Sequence, residues 1–268
     1  MDKQAIRERV WDDLEESGEA RFPFPPHGRI PNFAGAKAAA DRLTDQPEWQ
    51  TAETIKANPD APQLPVRRRA LREGKTLYMA VPRLRDEQCF LELDPAELED
   101  YDAATTVSGI GEHGRQVGPE AVGEIDLIVS GSVAVSAEHR SADTSAEHRS
   151  ADTSAEHRSA EASGESCEVK EGVRIGKGEG YSDLEYAILR DLGLVDDATP
   201  VATTVHERQV LSEDLTLEAH DVPMDLIVTT ERVIRPESQE KPAGIDWELL
   251  DEERLEEIPV LEELRQRD

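Results

Sequence analysis

The sequence predicts a three-layer α/β/α fold around a mainly parallel sheet, because apolar strand-like runs alternate with helical patterns along the chain. One run, I-D-L-I-V at residues 125–129, is almost continuously apolar. Such a run indicates a strand that is buried on both faces, as in a parallel sheet covered by helices. The 268 residues are enough to bury this core. In this architecture, ligands bind at the carboxyl ends of the strands.

Charge limits the classes of partner. The net charge is −29, from 59 acidic and 30 basic residues, so we expect no nucleic-acid partner and no association with anionic membranes. The basic residues are 23 Arg and 7 Lys, and an acidic, lysine-poor composition is typical of proteins from salt-adapted organisms. With no leader peptide and no long apolar run, the sequence predicts a soluble cytoplasmic protein of undetermined oligomeric state.

The first element is a helix at residues 3–16, where Ile6, Val10, Trp11 and Leu14 form one apolar stripe. Lys3 and Arg7 lie one turn apart on this helix and project from the same side. The next stretch, F-P-F-P-P-H-G-R-I-P-N-F at residues 22–33, contains four prolines and cannot form regular structure. We expect a rigid loop that either packs over the domain or forms the wall of a pocket.

The following elements are read from periodicity and turn residues. Helices are predicted at residues 36–43, 48–54, 66–73 and 184–192, and strands at 55–58, 76–81, 89–93, 125–129, 131–135, 201–205 and 226–228. A basic turn with Arg83 and Arg85 joins two of these strands. In so acidic a chain, these arginines either face an anionic ligand or pair with neighbouring carboxylates.

A glycine-rich stretch, G-V-R-I-G-K-G-E-G-Y-S-D-L-E-Y at residues 172–186, carries the main functional signal. Alternating glycines let successive backbone N–H groups converge on one anion, and the following helix adds the positive end of its dipole. Lys177 offers a point charge for phosphate, and Asp183 offers a carboxylate for Mg²⁺. The alternative is a plain glycine-rich turn between a strand and a helix.

A nine-residue repeat interrupts the pattern at residues 136–162, as S-A-E-H-R-S-A-D-T twice and then S-A-E-H-R-S-A-E-A. Alanine is its only apolar residue, so it cannot bury enough surface to offset the entropy of ordering. We therefore predict a disordered insertion at residues 136–170 within a domain of residues 1–235. Residues 236–268 are acidic but carry a helical apolar pattern, which predicts a C-terminal extension that docks on this domain.

With the repeat set aside, several segments resemble the 5-formyltetrahydrofolate cyclo-ligase family. The glycine stretch resembles its signature at Arg174, Ile175, Gly176, Gly178, Gly180, Tyr181 and Asp183. Further matches are Lys3 with Arg7, the G-K…V-P-R run ending at Arg83, and H-D-V-P-M-D at residues 220–225. The segments I-P-N-F-A-G-A, I-K-A-N-P-D and T-T-V-H resemble a divergent branch, the methenyltetrahydrofolate synthetase domain-containing proteins.

This resemblance implies a fold similar to the sugar-phosphate isomerase and CoA-transferase superfamily. It also implies ATP- and Mg²⁺-dependent cyclisation of 5-formyltetrahydrofolate to 5,10-methenyltetrahydrofolate, with a reduced folate and ATP as the small-molecule partners. By resemblance, the ATP phosphates are bound by Lys3, Arg7, Arg174, Gly176, Lys177, Gly178 and Gly180. Asp183 is the metal ligand and, with Tyr181, catalytic, while Phe24, Phe33, Arg83, Tyr181 and Tyr186 bind the substrate.

Ser182 and Leu184 depart from the family pattern, which has an aromatic residue and an arginine at these positions. Two alternatives therefore stay open. One is a paralogue that acts on a different one-carbon or vitamin-related substrate. The other is a regulator that binds nucleotide or folate without turnover.

Overall fold

The structure is a computed structural model that describes residues 2–106, 109–137 and 171–266. Its helices are α1 (Lys3–Glu16), α2 (Ala36–Thr44), α3 (Pro47–Thr51), α4 (Leu64–Arg72), α5 (Tyr101–Ala104), α6 (Ile110–His113), α7 (Tyr181–Asp191), α8 (Glu252–Glu257) and α9 (Pro259–Arg265). Its strands are β1 (Ala20–Arg21), β2 (Asn32–Phe33), β3 (Thr54–Ala57), β4 (Thr76–Ala80), β5 (Phe90–Leu93), β6 (Arg115–Val117), β7 (Leu127–Ser130), β8 (Ala134–Ser136), β9 (Arg174–Ile175), β10 (Val201–Thr204), β11 (Val210–Leu211), β12 (Leu226–Val228) and β13 (Val233–Ile234).

The centre of the fold is an eight-stranded sheet with the order β13-β12-β10-β7-β3-β4-β5-β6. Its five central strands, from β12 to β4, are parallel to one another. The edge strands β13, β5 and β6 pair in antiparallel fashion. The sheet is flanked by helices, and the predicted mainly parallel α/β fold is confirmed. The apolar run at residues 125–129 supplies β7, which is buried along its whole length, as its composition predicts.

A second, smaller sheet with the order β11-β8-β9 carries the start of the glycine stretch. The helix α1 packs beside it and buries the predicted stripe of Ile6, Val10, Trp11 and Leu14. The bounds of α1 are those predicted from the sequence, and Asp2 caps its first turn by accepting a hydrogen bond from the Gln4 backbone N–H at 3.3 Å. This packing brings the basic side of α1 next to the glycine stretch.

Some predicted elements differ from the observed ones. The strand predicted at residues 131–135 begins only at Ala134 and belongs to the small sheet instead of the central one. The helix predicted to begin at residue 184 begins at Tyr181, because Gly180 adopts φ +73° and allows the chain to turn into the helix there. The strands β4 and β5 form an antiparallel pair, joined through the short turn Pro82–Leu84.

The first two residues of the predicted insertion belong to the ordered small sheet. Ser136 is the last residue of β8, and its hydroxyl accepts a hydrogen bond from the Val173 backbone N–H at 3.0 Å. Ala137 is fully buried, and its backbone N–H donates to the Leu211 carbonyl. The sheet therefore draws the first two repeat residues into the core. The rest of the predicted insertion, residues 138–170, lies outside the described residues, and the prediction of disorder there remains a prediction.

The C-terminal residues pack on the main core through α9. Ile258, Val260, Leu261 and Leu264 are buried in the same cluster as the central strands. Within the described parts of the chain, no helix combines the length and hydropathy that crossing a bilayer requires.

Candidate functional site

A cavity of about 630 Å³ lies at the carboxyl ends of the parallel strands. Asn58 and Asp60 follow β3, Arg83 follows β4, and Gly131 follows β7, and all four line this cavity. The opposite wall is formed by the glycine stretch and the first turn of α7. The volume is in the usual range for a small-molecule site, and the position is where parallel sheets place their ligands.

The cavity brings together seven of the residues predicted from the sequence. They are Arg83, Arg174, Gly176, Lys177, Gly180, Tyr181 and Asp183. Lys3, Arg7 and Gly178 do not line the cavity. The part of the glycine stretch from Gly176 to Gly180 is called the glycine loop below.

The glycine loop rests on two arginines. The Arg7 Nε donates a hydrogen bond to the Gly176 carbonyl at 2.7 Å. A Cβ at Gly178 would lie 3.3 Å from the Arg7 guanidinium carbon, and a Cβ at Gly176 would lie 2.9 Å from Arg174 Nη1. Gly178 also has φ +103°, a backbone conformation that favours glycine. The glycines therefore let the loop approach two cations closely.

Arg174 and Asp183 form a largely buried ion pair in the wall of the cavity. The Arg174 Nη2 donates to both carboxylate oxygens of Asp183, at 2.6 and 2.7 Å, and Nη1 donates to the Gly131 carbonyl at 2.9 Å. The Val222 backbone N–H also donates to Asp183, at 3.2 Å. Burial alone would lower the pKa of Arg174, but the adjacent Asp183 carboxylate raises it. The Arg174 guanidinium thus stays charged, and the pair joins β9 to the first turn of α7.

Lys3 is held by two carboxylates. Its ammonium group lies 2.8 Å from Asp221 and 2.9 Å from Glu218, and these hydrogen bonds raise the pKa of Lys3 although burial opposes them. Glu218, His220 and Asp221 place their ligand atoms within 4.8 Å of one another, which a metal ion could use. In the structure, the Lys3 ammonium already pairs with both carboxylates of this group and offsets one of their two negative charges.

Three of the four aromatic residues predicted to bind substrate do not line the cavity. Phe24 is 58% exposed, while Phe33 is buried and packs with Ala36 and Ala39. The Tyr186 ring is buried in the main core, and this burial raises the pKa of Tyr186 to about 12. The proline-rich loop does reach the cavity, but through Pro23, Arg29 and Ile30. Of the aromatic residues predicted to bind substrate, only Tyr181 lines it.

Sequence reasoning gave no role to a group of polar residues at the end of β3 and just after it. Lys56 and Glu185 form a buried ion pair, and the Lys56 ammonium also donates to Asn58 Oδ1 at 2.9 Å. Asp60 is half-buried in the same wall, where desolvation raises its pKa although Lys177 and Arg67 lower it. The signal available was the segment I-K-A-N-P-D, in which polar residues follow directly after a strand of a parallel sheet.

The C-terminal residues also reach this site. The Arg254 guanidinium lies over the Tyr181 ring, 4.8 Å from its centroid, and donates to the Glu179 carbonyl at 2.5 Å. The Glu257 carboxylate accepts a hydrogen bond from the Tyr181 hydroxyl at 3.4 Å. The apolar pattern predicts that this region docks, but no sequence signal indicates that it docks at the cavity.

Comparison with known proteins identifies the family. The model of the 5-formyltetrahydrofolate cyclo-ligase family matches residues 1–140 and 167–230. A methenyltetrahydrofolate synthase domain-containing protein of Mus musculus is 39% identical over 273 residues, covering 100% of this chain and 64% of its own length. The Homo sapiens protein of the same name is 35% identical over 274 residues, covering 100% and 62%. The chain thus spans less than two thirds of these relatives.

Two solved structures are also similar to the chain. The NMR structure of Aquifex aeolicus 5,10-methenyltetrahydrofolate synthetase aligns with a TM-score of 0.48 at 19% identity, over 90% of this chain and 96% of that one. A Mycoplasma pneumoniae 5,10-methenyltetrahydrofolate synthetase aligns with a TM-score of 0.44 at 13% identity, over 86% and 100%. The family model, by contrast, covers well over half of the chain, including the glycine loop and the central strands. The chain therefore belongs to the 5-formyltetrahydrofolate cyclo-ligase family.

Proposed function

We propose that the protein catalyses the ATP- and Mg²⁺-dependent cyclisation of 5-formyltetrahydrofolate to 5,10-methenyltetrahydrofolate. Family membership supports this reaction class. The observation that carries the proposal is the glycine loop, which rests on Arg7 and Arg174 and forms one wall of a ligand-sized cavity. A glycine-lined wall with arginines against its backbone fits the phosphates of ATP, and the rest of the cavity is left for the folate.

Among the described cationic residues of this wall, Lys177 has the side chain that is least held by other contacts. Its side chain is 39% exposed, lines the cavity, and pairs only with Glu179, at 2.7 Å, among the described residues. An exposed ion pair of this kind is weak, so a phosphate can replace the Glu179 carboxylate. In contrast, the Arg7 guanidinium is hydrogen-bonded to the glycine loop and the Arg174 guanidinium to Asp183. These two arginines contribute to phosphate binding through their positive charge.

The residues near the glycine loop also fit a Mg²⁺ ion. Mg²⁺ prefers hard oxygen donors, chiefly one or two carboxylates together with phosphate oxygens. Asp183 and Asp221 offer such carboxylates, and the hydrogen bond from the Val222 N–H to Asp183 makes their segments neighbours. Bound there, the ion would neutralise phosphate charge. Asp183 is now paired with Arg174, and Asp221 with Lys3. Metal binding would therefore break these ion pairs and replace them with contacts to the metal ion.

The chemistry needs positioning more than covalent participation by the protein. The formyl oxygen is a poor leaving group, and transfer of the γ-phosphoryl group of ATP to it makes a better one. Attack by N10 of the folate then closes the ring and releases phosphate. The chain contributes cations around the transferred group, and the Tyr181 ring is available to pack against the pterin.

The first prediction tests Lys177. Lys177→Gln should raise the KM for ATP by about tenfold, as expected for the loss of a charge-assisted contact worth about 1.4 kcal/mol. The measurement follows methenyl absorbance and ADP release from 5-formyltetrahydrofolate, ATP and Mg²⁺. Lys37→Gln is the matched control, because Lys37 is an exposed lysine with a similar surface ion pair, to Asp41.

The same assay separates the proposed reaction from its alternatives. Binding of ATP without methenyl formation in the unmodified protein would favour a different substrate or a regulator that binds nucleotide. An equal effect of both lysine substitutions on the KM for ATP would contradict the role given to the glycine loop.

A further inference from the structure

A carboxylate from the C-terminal helix α8 is bound at the rim of the cavity. The Arg85 guanidinium donates two hydrogen bonds to Glu257 Oε1, at 2.6 and 3.1 Å, and Arg83 Nη1 lies 3.8 Å from the same oxygen. The Tyr181 hydroxyl donates to the other oxygen, Oε2, at 3.4 Å. Because Arg83 and Tyr181 line the cavity, the carboxylate stands at its edge. The two arginines therefore do pair with a neighbouring carboxylate, which was one of the two alternatives.

The backbone that presents Arg83 is strained. Arg83 and Leu84 have φ +60° and +54°, values that residues other than glycine rarely adopt. Leu84 is fully buried, and its backbone N–H donates to the Val81 carbonyl at 3.0 Å, so core packing holds this turn in place. Strain of this kind is common at ligand sites, where it fixes the direction of a side chain. Here it directs an arginine to the cavity rim.

The pairing with Glu257 is weak enough to be exchanged. Arg83, Arg85 and Glu257 have side chains that are 52%, 54% and 27% exposed. Exposed ion pairs contribute little, because water and salt screen them. The Arg85 hydrogen bonds lower the pKa of Glu257, so its carboxylate is ionised at neutral pH. A second carboxylate that enters with a ligand could therefore take its place without a large cost in stability.

We propose that Arg83, Arg85 and the Tyr181 hydroxyl form a carboxylate subsite, that Glu257 fills it in the free protein, and that a carboxylate of the folate's glutamate tail displaces Glu257 on binding. The assignment of the ligand rests on the proposed function. A carboxylate is favoured over phosphate because the group now bound is itself a carboxylate. Glu257 thus acts as an internal competitor for the substrate tail.

The test compares 5-formyltetrahydrofolate with its α,γ-diamide, in which neutral amides replace both glutamate carboxylates. Binding of each to the full chain is measured by calorimetry without ATP. Glu257→Gln should bind the diacid about three- to tenfold more tightly, and Arg85→Gln about three- to tenfold more weakly, as for exposed charge contacts. Neither should change binding of the diamide. Glu256→Gln and Arg265→Gln remove the same charges from exposed positions and should match the unmodified protein.

An unchanged or weaker affinity of Glu257→Gln for the diacid would overturn the proposal. Equal binding of diacid and diamide by the unmodified protein, or no binding of either, would overturn it too. A loss of ATP affinity in Arg85→Gln would assign the arginines to phosphate and have the same consequence. Turnover is followed in parallel: discrimination between diacid and diamide without turnover contradicts the proposed reaction alone, whereas turnover without discrimination contradicts this inference alone.

Discussion

Asp60 is a carboxylate in a cavity wall, and its site there carries a cost in stability. Desolvation raises its pKa above the ordinary value, although Lys177 and Arg67 act in the opposite direction. A carboxyl group whose pKa is raised in the folded state destabilises that state at pH values above its ordinary pKa, and this cost disappears as the pH falls below it. We therefore predict that Asp60→Asn raises the melting temperature at pH 7, and that this gain disappears at acid pH.

The measurement is the thermal unfolding of Asp60→Asn and of the unmodified protein, from pH 7 down to acid pH. Asp45→Asn is the control, because Asp45 is exposed at the end of α2 and should give no gain. A lower melting temperature of Asp60→Asn at pH 7 would mean that the attraction of Lys177 and Arg67 outweighs desolvation. A gain accompanied by weaker ligand binding would fit a residue that is retained for function at some cost in stability.

At the scale of single residues, the sequence predicts the cavity wall whose residues follow one another along the chain. Arg174, Lys177, Tyr181 and Asp183 fall within ten residues, so their spacing alone places them on one loop and one helix turn. The pairing of Lys56 with Glu185 joins residues 129 positions apart, and only the packing of α7 near the end of β3 brings them together. Three of the predicted aromatic residues do not line the cavity, because a sequence pattern does not reveal whether an aromatic side chain fills the core or faces a cavity.

At the scale of elements, α9 gives a sharp test of how firmly the C-terminal residues are docked. Leu261 is fully buried in the main core, whereas Leu249 in the same region is 58% exposed. Leu261→Ala should lower the free energy of unfolding by about 2–5 kcal/mol, since it leaves a cavity in the core. Leu249→Ala should change it by less than about 0.5 kcal/mol. Urea unfolding measures both, and a small effect of Leu261→Ala would contradict a docked α9.

Elements with a strong local pattern are predicted well, and those fixed by distant contacts are not. The apolar stripe of α1 sets its bounds correctly, and the apolar run of β7 identifies a buried strand. Short strands such as β9 and β11 have two residues each and no periodicity to detect. They become strands only because β8 lies between them.

At the scale of the whole molecule, alternating strands and helices are sufficient to predict a mainly parallel sheet. The antiparallel edges are not predictable in the same way, because strand direction depends on how the chain returns after each turn. Arg83 illustrates this: its turn reverses the chain from β4 into β5 and thereby places a cation at the cavity. The same reversal fixes both the topology of the edge and the proposed carboxylate subsite.

Net charge gives a prediction for the molecule as a whole. Even if every Lys and Arg were paired with a carboxylate, 29 of the 59 carboxylates would lack a cationic partner. Their mutual repulsion destabilises the compact state, while exposed ion pairs, which salt also screens, contribute little. Raising the salt concentration from about 0.1 M to 1 M shortens the screening length from about 10 Å to about 3 Å. We therefore expect the melting temperature at pH 7 to rise with KCl.

The pH dependence of this salt effect identifies its cause. As the pH is lowered towards the sequence pI of about 4.5, the carboxylates take up protons and the net charge approaches zero. If repulsion between carboxylates is responsible, the rise in melting temperature with KCl should shrink steadily over this range. If KCl raises the melting temperature equally at pH 7 and near the pI, the cause is instead a general effect of salt on apolar burial, which does not depend on the charge of the protein.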